Sequence, residues 1–282
     1  MKRTTPLLLP LLAACLVRTA SAAALPTEIT VQLVMSHDVY VAGERIRAVV
    51  DVANASADVI DCRKPDAPDR LFVELFRAHD KNRYDRITDK PFVAPFALLS
   101  GEGQKLETFL ANHFRLDEDT RYLARAVLVH GGMRFESALK SFDVVPGLAC
   151  GKNALQMFAN RDGLQRHFEL VHCGRDRVEH LFLKARDVGT STRRWRTTDL
   201  GPVIRVKPPI ISVMASGEVV VLHLATQGRY LYSTFWSLPD ILEYRGREVM
   251  ADPDVAGAER VKEFYKDTGG VEPVKKAWWK FW

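Results

Sequence analysis

At 282 residues, 47% of them hydrophobic and 27% charged, the chain has enough apolar material to bury a sizeable core, which excludes disordered and fibrous classes. The formal net charge is +5, but Lys2, Arg3 and Arg18 all fall within the first 22 residues, where no acidic residue stands. Taking those three charges away leaves +2, too little to neutralise a run of phosphates, so no nucleic-acid partner is expected.

Residues 1–22 follow the grammar of a secretory signal peptide. Met1-Lys2-Arg3 is the positive start, Pro6 to Val17 is a short apolar run, and Ala20-Ser21-Ala22 is a small-x-small cleavage site. The run is too short for a hydrocarbon layer of about 30 Å, so no transmembrane span is expected. Cleavage after Ala22 is favoured and leaves 260 of the 282 residues in a periplasmic or extracellular protein. Leu12-Ala13-Ala14-Cys15 also resembles the lipobox of bacterial lipoproteins, which implies the alternative of a lipid anchor on Cys15. Against it, Leu16 and Val17 carry the apolar run past the cysteine.

Between residues 28 and 146 the sequence reads as short strands. Ile29, Val31, Leu33 and Met35 alternate with more polar positions, the chain turns at Val39 to Glu44, and Ile46, Ala48, Val50 and Val52 repeat the alternation. Asn54-Ala55-Ser56 breaks it as a turn, and it matches a glycosylation sequon that matters only in a eukaryotic host. Four more strands are predicted at Leu71–Phe76, Leu106–Leu110, Tyr122–Val129 and Phe135–Val145. The pattern Tyr40-x-x-Gly43-Glu44-x-Ile46-x-Ala48-x-Val50-x-Val52-x-Asn54-x-Ser56 resembles the opening strands of bacterial immunoglobulin-like modules. Leu116-x5-Tyr122-x-Ala124 is similar to the corner late in such a module, which implies a tyrosine hydroxyl tied to upstream backbone. The resemblance implies a β-sandwich and no catalytic residue, because such modules serve as spacers, adhesion units or binding modules.

Val145-Pro146-Gly147 reads as a boundary. Beyond it, residues 150–250 form a second antiparallel β domain: strands at Gln165–Cys173 and Val178–Lys184 around a Gly174–Arg177 turn, then Ile210–Ala215, Glu218–Ala225 and Arg229–Trp236. Two stretches about 50 residues apart look alike, one with His172 and one with His223, a spacing that suits propeller blades. Two copies do not close a propeller, so a duplicated sheet is expected. In residues 251–282 a short helix is predicted over Ala256–Tyr265, followed by a tail in which Trp278, Trp279, Phe281 and Trp282 either cover a sheet edge or dock on a partner. The expected class is all-β: an immunoglobulin-like sandwich, a second antiparallel β domain and a short C-terminal helix.

Candidate sites are sparse. Arg193, Arg194, Trp195 and Arg196 form the one ligand-binding candidate, with guanidinium forks for an anion and an indole for stacking on a sugar or aromatic group, weighed against a solvated loop. Cleavage after Ala22 removes Cys15 and leaves Cys62, Cys150 and Cys173 in an oxidising compartment, where a Cys150–Cys173 disulfide is expected. His130-Gly131-Gly132 is read as a hairpin turn rather than an oxyanion loop, since no Gly-x-Ser-x-Gly elbow accompanies it. His167, His172, His180 and His223 show no metal-ligand spacing, and Asp117-Glu118-Asp119 lacks the alternation of a calcium loop, so no metal or cofactor is expected. Arg186 to Ser191 resembles a sialidase Asp-box turn, but no pair of carboxylates for glycosidic chemistry stands out. The sequence is therefore read as an exported non-enzymatic spacer or binding module whose partner is a protein or a glycan. The alternatives are a glycan-acting enzyme or accessory protein and a lipid-anchored assembly protein.

Overall fold

The computed structural model describes residues 29–64, 68–80, 82–151, 155–159, 165–188, 195–238 and 242–251. The expected signal peptide, Cys15, Arg193, Arg194, the Ala256–Tyr265 helix and the Trp-rich tail lie outside them. Within them the chain is all-β apart from a 3-10 turn at Leu110–Asn112, and no helix is long and apolar enough to cross a membrane.

The first half holds β1 (Ile29–Met35), β2 (Val39–Val41), β3 (Arg47–Asn54), β4 (Ile60–Asp61), β5 (Arg70–Arg77), β6 (Ala97–Leu98), β7 (Gly103–Phe109), β8 (Thr120–His130), β9 (Met133–Glu136) and β10 (Lys140–Val145). Period-two alternation dictates how they layer. Ile29, Val31 and Leu33 of β1 are buried, and β3 brings Val52 and Val50 opposite Val31 and Leu33. That antiparallel sheet, in the order β1-β3-β7, shares one core with a second sheet in the order β2-β10-β8-β5. Tyr40, Leu75, Tyr122, Phe142 and Val144 fill the second sheet's side. Asn54 is buried where β3 ends, and its side-chain oxygen accepts from the Ser56 amide (3.1 Å) and hydroxyl (2.6 Å), an Asx turn in place of the ladder.

Several expectations need correction in this half. Val39–Val41 is a strand rather than a turn: it pairs in parallel with β10, Tyr40 opposite Val144. The predicted strand from Phe135 to Val145 is two strands, because Ser137 leaves the ladder and its hydroxyl accepts from the Ala126 amide at 2.9 Å. The tyrosine tie also sits elsewhere. The buried Tyr122 hydroxyl has no hydrogen-bond partner among the described residues, whereas the Tyr40 hydroxyl accepts from the His37 amide at 3.0 Å and meets the Ser36 hydroxyl at 3.1 Å.

The second half holds β11 (Leu148–Ala149), β12 (Leu155–Ala159), β13 (Gln165–Arg175), β14 (Val178–Val188), β15 (Arg196–Pro202), β16 (Ile210–Val213), β17 (Glu218–Thr226), β18 (Arg229–Ser237) and β19 (Leu242–Ala251). One sheet runs β11-β13-β14-β15 with β12 also on β13, and the other runs β16-β17-β18-β19. Phe168, Leu170, Leu181, Leu183 and Ala185 of the first meet Ile211, Val219, Val221 and Phe235 of the second in a separate core. Arg166 adds a polar tie inside it, its Nε donating to Asp187 (2.5 Å) and its Nη1 to the Ser237 hydroxyl (3.0 Å).

Only Pro146 and Gly147 separate β10 from β11. Gly147 adopts φ +76, and a Cβ there would lie 2.6 Å from a Val171 methyl, so this position requires glycine.

Candidate functional site

Alternation along β13 and β14 turns one set of side chains into the second core and the other set outward. The outward set is Val171, Cys173 and Arg175 on β13 and Phe182, Lys184 and Arg186 on β14. Val41 of β2 packs on Val171 and Phe182, so the two halves share a small apolar contact. Around it runs a polar seam. The Thr197 amide donates to the Gly43 carbonyl (3.0 Å), the Thr197 hydroxyl donates to the Ala42 carbonyl (2.6 Å), and Glu44 bridges Thr197 in parallel register. A Cβ on Gly43 would lie 2.4 Å from the Trp195 carbonyl oxygen, so the halves touch backbone to backbone.

The centre of this joint is Arg175, whose side chain is 1% exposed. Its Nη2 donates to Glu44 at 2.5 Å, its Nη1 to Asp199 at 3.0 Å and its Nε to the Val39 carbonyl at 3.1 Å. Tyr40 and Phe182 present their rings to the guanidinium, 5.5 and 4.9 Å from centroid to Cζ. Asp199 also meets His180 Nδ1 at 3.0 Å and accepts from the Gly201 amide at 2.7 Å. Asp176 and Arg177, at φ 49 and 66, make the tight turn that follows, and Asp176 meets His37 Nδ1 at 2.8 Å. Strand β13 thus runs two residues past its expected end at Cys173, carrying Arg175 into the joint.

Trp195, singled out in the sequence, stands where this face leaves the joint. It is half-buried, and its ring is engaged by the protein itself: Lys184 Nζ and Arg186 Cζ each lie 4.7 Å from the centroid. The indole therefore floors a cationic corner rather than standing open as a stacking platform. Lys184 is 5% exposed and donates to the Pro146 carbonyl at 2.9 Å, and burial pushes its pKa down. Arg186 approaches His167 Nδ1 at 3.4 Å. Arg196 points to the other side, 3.9 Å from Asp187.

Cys150 and Cys173 carry free thiols, as does Cys62, so the expected disulfide is not formed. The Cys150 amide donates to the Leu170 carbonyl, three residues along β13 from Cys173. Cys150 packs on the second core and Cys173 on the joint, so they lie on opposite faces of one sheet, out of bridging reach. Burial raises all three thiols, Cys62 and Cys150 to about 12, which keeps them protonated and poorly nucleophilic at neutral pH.

Cys150 does line a cleft of about 290 Å³ with His172, Leu181, Val203, Arg205 and Pro208 among its walls. Glu179 draws its polar groups together: His172 Nδ1 lies 2.6 Å away, close but out of hydrogen-bonding alignment, and Arg205 pairs with it at 3.0 Å. His223, at the like position in the other sheet, is 1% exposed and meets the Pro202 carbonyl at 3.2 Å; burial drops its pKa to about 4. The two histidines thus have separate partners, and among the described residues no three His, Cys, Asp or Glu side chains are grouped to hold a metal. His130-Gly131-Gly132 closes the β8–β9 hairpin, with both glycines at positive φ. Asp117 and Glu118 are taken up by Arg115 and Arg77, at 3.3 and 2.8 Å.

No protein-family model matches the chain, and no curated protein matches it. Among solved structures, the sporulation control protein Spo0M from Bacillus subtilis aligns with 85% of this chain and 96% of its own at 12% identity and a TM-score of 0.30. The cycloalternan-forming enzyme from Listeria monocytogenes aligns with 77% of this chain at 14% identity and a TM-score of 0.23, and the match spans 18% of that enzyme. Likenesses this slight carry no argument about function.

Proposed function

We propose that the chain is an exported, non-enzymatic binding protein, in which an immunoglobulin-like first unit and a second antiparallel β unit form one platform for a protein or glycan partner. The observation that supports this reading is the joint. Arg175 is buried between Glu44 of one unit and Asp199 of the other, and the Gly43–Thr197 backbone contact closes the seam beside it. A flexible spacer has no use for a desolvated, fully bonded arginine between its units, since such an ion cluster is stable only in a fixed geometry. A platform that presents residues of both units side by side does. The half-buried Cys150 thiol beside His172 and Glu179, pushed up to about 12, also favours binding over nucleophilic chemistry.

The test is to incubate the exported protein with a panel of neutral and acidic bacterial glycans and to follow both retention and glycan mass. Retention with unchanged masses is the expected result. Steady product formation would replace this reading with the glycan-acting one. Intact mass of the exported protein addresses its placement: a chain starting at Ala23 is expected, whereas an acylated chain starting at Cys15 would make it a lipid-anchored protein.

A further inference from the structure

Among the described residues of the second half, Arg166, Arg175 and Lys184 are the lysine and arginine side chains 95% buried or more. Buried charges are ordinarily neutralised, because removing an ion from water costs several kcal/mol that only a counter-charge and good hydrogen bonds offset. Arg166 has Asp187, and Arg175 has Glu44 and Asp199. Lys184 has one carbonyl, that of Pro146, and an indole ring. Its neighbour Arg186 has the same ring and a long contact to His167. Among the described residues neither cation has a carboxylate oxygen within 4.0 Å. Glu169 stands opposite Lys184 across the β13–β14 pair without closing on it, and its charge favours the ammonium only at a distance. Two adjacent cations are thus held against one aromatic floor, one deeply buried and one half-exposed, and no carboxylate of the described residues closes an ion pair with either.

We propose that the corner formed by Lys184, Arg186 and Trp195 is a binding site for an oxyanion, a phosphate or sulfate group carried free or as an ester on a sugar. The proposal rests on the binding-protein reading above and names the ligand chemistry of its platform. Arg186 supplies the forked contact that a tetrahedral oxyanion accepts. Lys184 lies behind it as a fixed charge in a poorly hydrated setting, where Coulomb attraction is less screened than at an open surface. Trp195 holds both cations in place through its ring face. Its carbonyl lies against Gly43, so the site is positioned by the joint between the units.

The experiment is isothermal titration calorimetry of the mature chain, residues 23–282, with inorganic sulfate, inorganic phosphate and N-acetylglucosamine 6-sulfate. Saturable binding is expected, weakened by about tenfold or more in Arg186→Gln and in Lys184→Met, as suits loss of a charge-assisted contact. Arg47→Gln, which removes an exposed arginine of the first unit already paired with Glu107, is expected to leave it unchanged. Equal affinity for sulfate and the sulfated sugar identifies a free ion as the ligand, and tighter binding of the ester identifies a saccharide; both support the site. Absence of saturable binding, or equal binding in wild type and Arg186→Gln, overturns it. Arg186 is half-exposed, so that variant decides the matter even if Lys184→Met fails to fold. If acidic glycans are still retained undiminished by Arg186→Gln, the binding reading stands and this corner is excluded from it.

Discussion

The joint around Arg175 and the corner around Lys184 lie on one face of one sheet, and both bury a cation against aromatic rings. At the joint, two carboxylates and a carbonyl satisfy the guanidinium, and the carboxylates come from both halves of the molecule. At the corner, a single carbonyl receives the ammonium, and no carboxylate of the described residues pairs with it. Desolvation is similar in the two places, so the difference lies in the counter-charge. Where it is built in, the cation fastens two units together. Where none is in contact, the cation is held by one carbonyl and an indole ring and fastens no second carboxylate.

That contrast predicts unequal costs for removing the two charges. Arg175→Leu strands Glu44 and Asp199 at the joint, and denaturant unfolding should show a loss of about 3 to 5 kcal/mol. A loss below about 1 kcal/mol would mean that the joint does not hold the halves together. The next largest effect concerns pH. His223 stays neutral in the fold down to about pH 4, whereas in the unfolded chain it takes up its proton near 6.5. The unfolded chain binds more protons between those values. Stability from this group is therefore complete above about pH 6.5 and falls by up to about 3 kcal/mol as pH drops towards 4. The part of the stability slope due to this residue should vanish in His223→Gln and persist in Lys184→Met.

Smaller effects sharpen the comparison. Gly43→Ala meets both a left-handed backbone, φ +87, and the Trp195 carbonyl, and should cost about 2 kcal/mol in chemical denaturation. Gly228→Ala, at φ +70 in open space, should cost about 1 kcal/mol, so the difference isolates the contact between the units. Lys184→Met should change stability by less than about 1 kcal/mol, because it removes a buried ammonium and strands no carboxylate. A loss as large as that of Arg175→Leu would erase the distinction between the two regions.

Period-two alternation made β1 and β3 legible in the sequence, since each has one face in a core, and apolar runs set off by turns did the same for β13–β14 and β17–β18. Strand β15 was not, because Arg196-Thr197-Thr198-Asp199 has little apolar character; it is a strand through its pairing with β14 and the contact of Thr197 with Gly43. Strand β19 is mostly exposed and charged, and only its ladder with β18 identifies it. At the site, Trp195 was visible as an isolated indole among arginines, but its partners were not. Lys184 and Arg186 sit two apart in Leu183-Lys184-Ala185-Arg186, where the intervening Leu183 and Ala185 are core residues. That interleaving was the available signal: charges on the second face of a strand whose first face is buried need something to face. Arg175 gave no such signal, because its partners lie 131 and 24 positions away.

The separation of 131 residues between Glu44 and Arg175 also sets an order of events. Closing so long a loop is slow compared with pairing neighbouring strands. As the chain emerges from its N-terminus, the first sheets can form while Val41 and Glu44 remain bare, and they stay so until the β13–β14 hairpin arrives to cover them. Until that hairpin packs against it, the first unit shows water one apolar spot at Val41 and a carboxylate at Glu44 whose arginine is still to come.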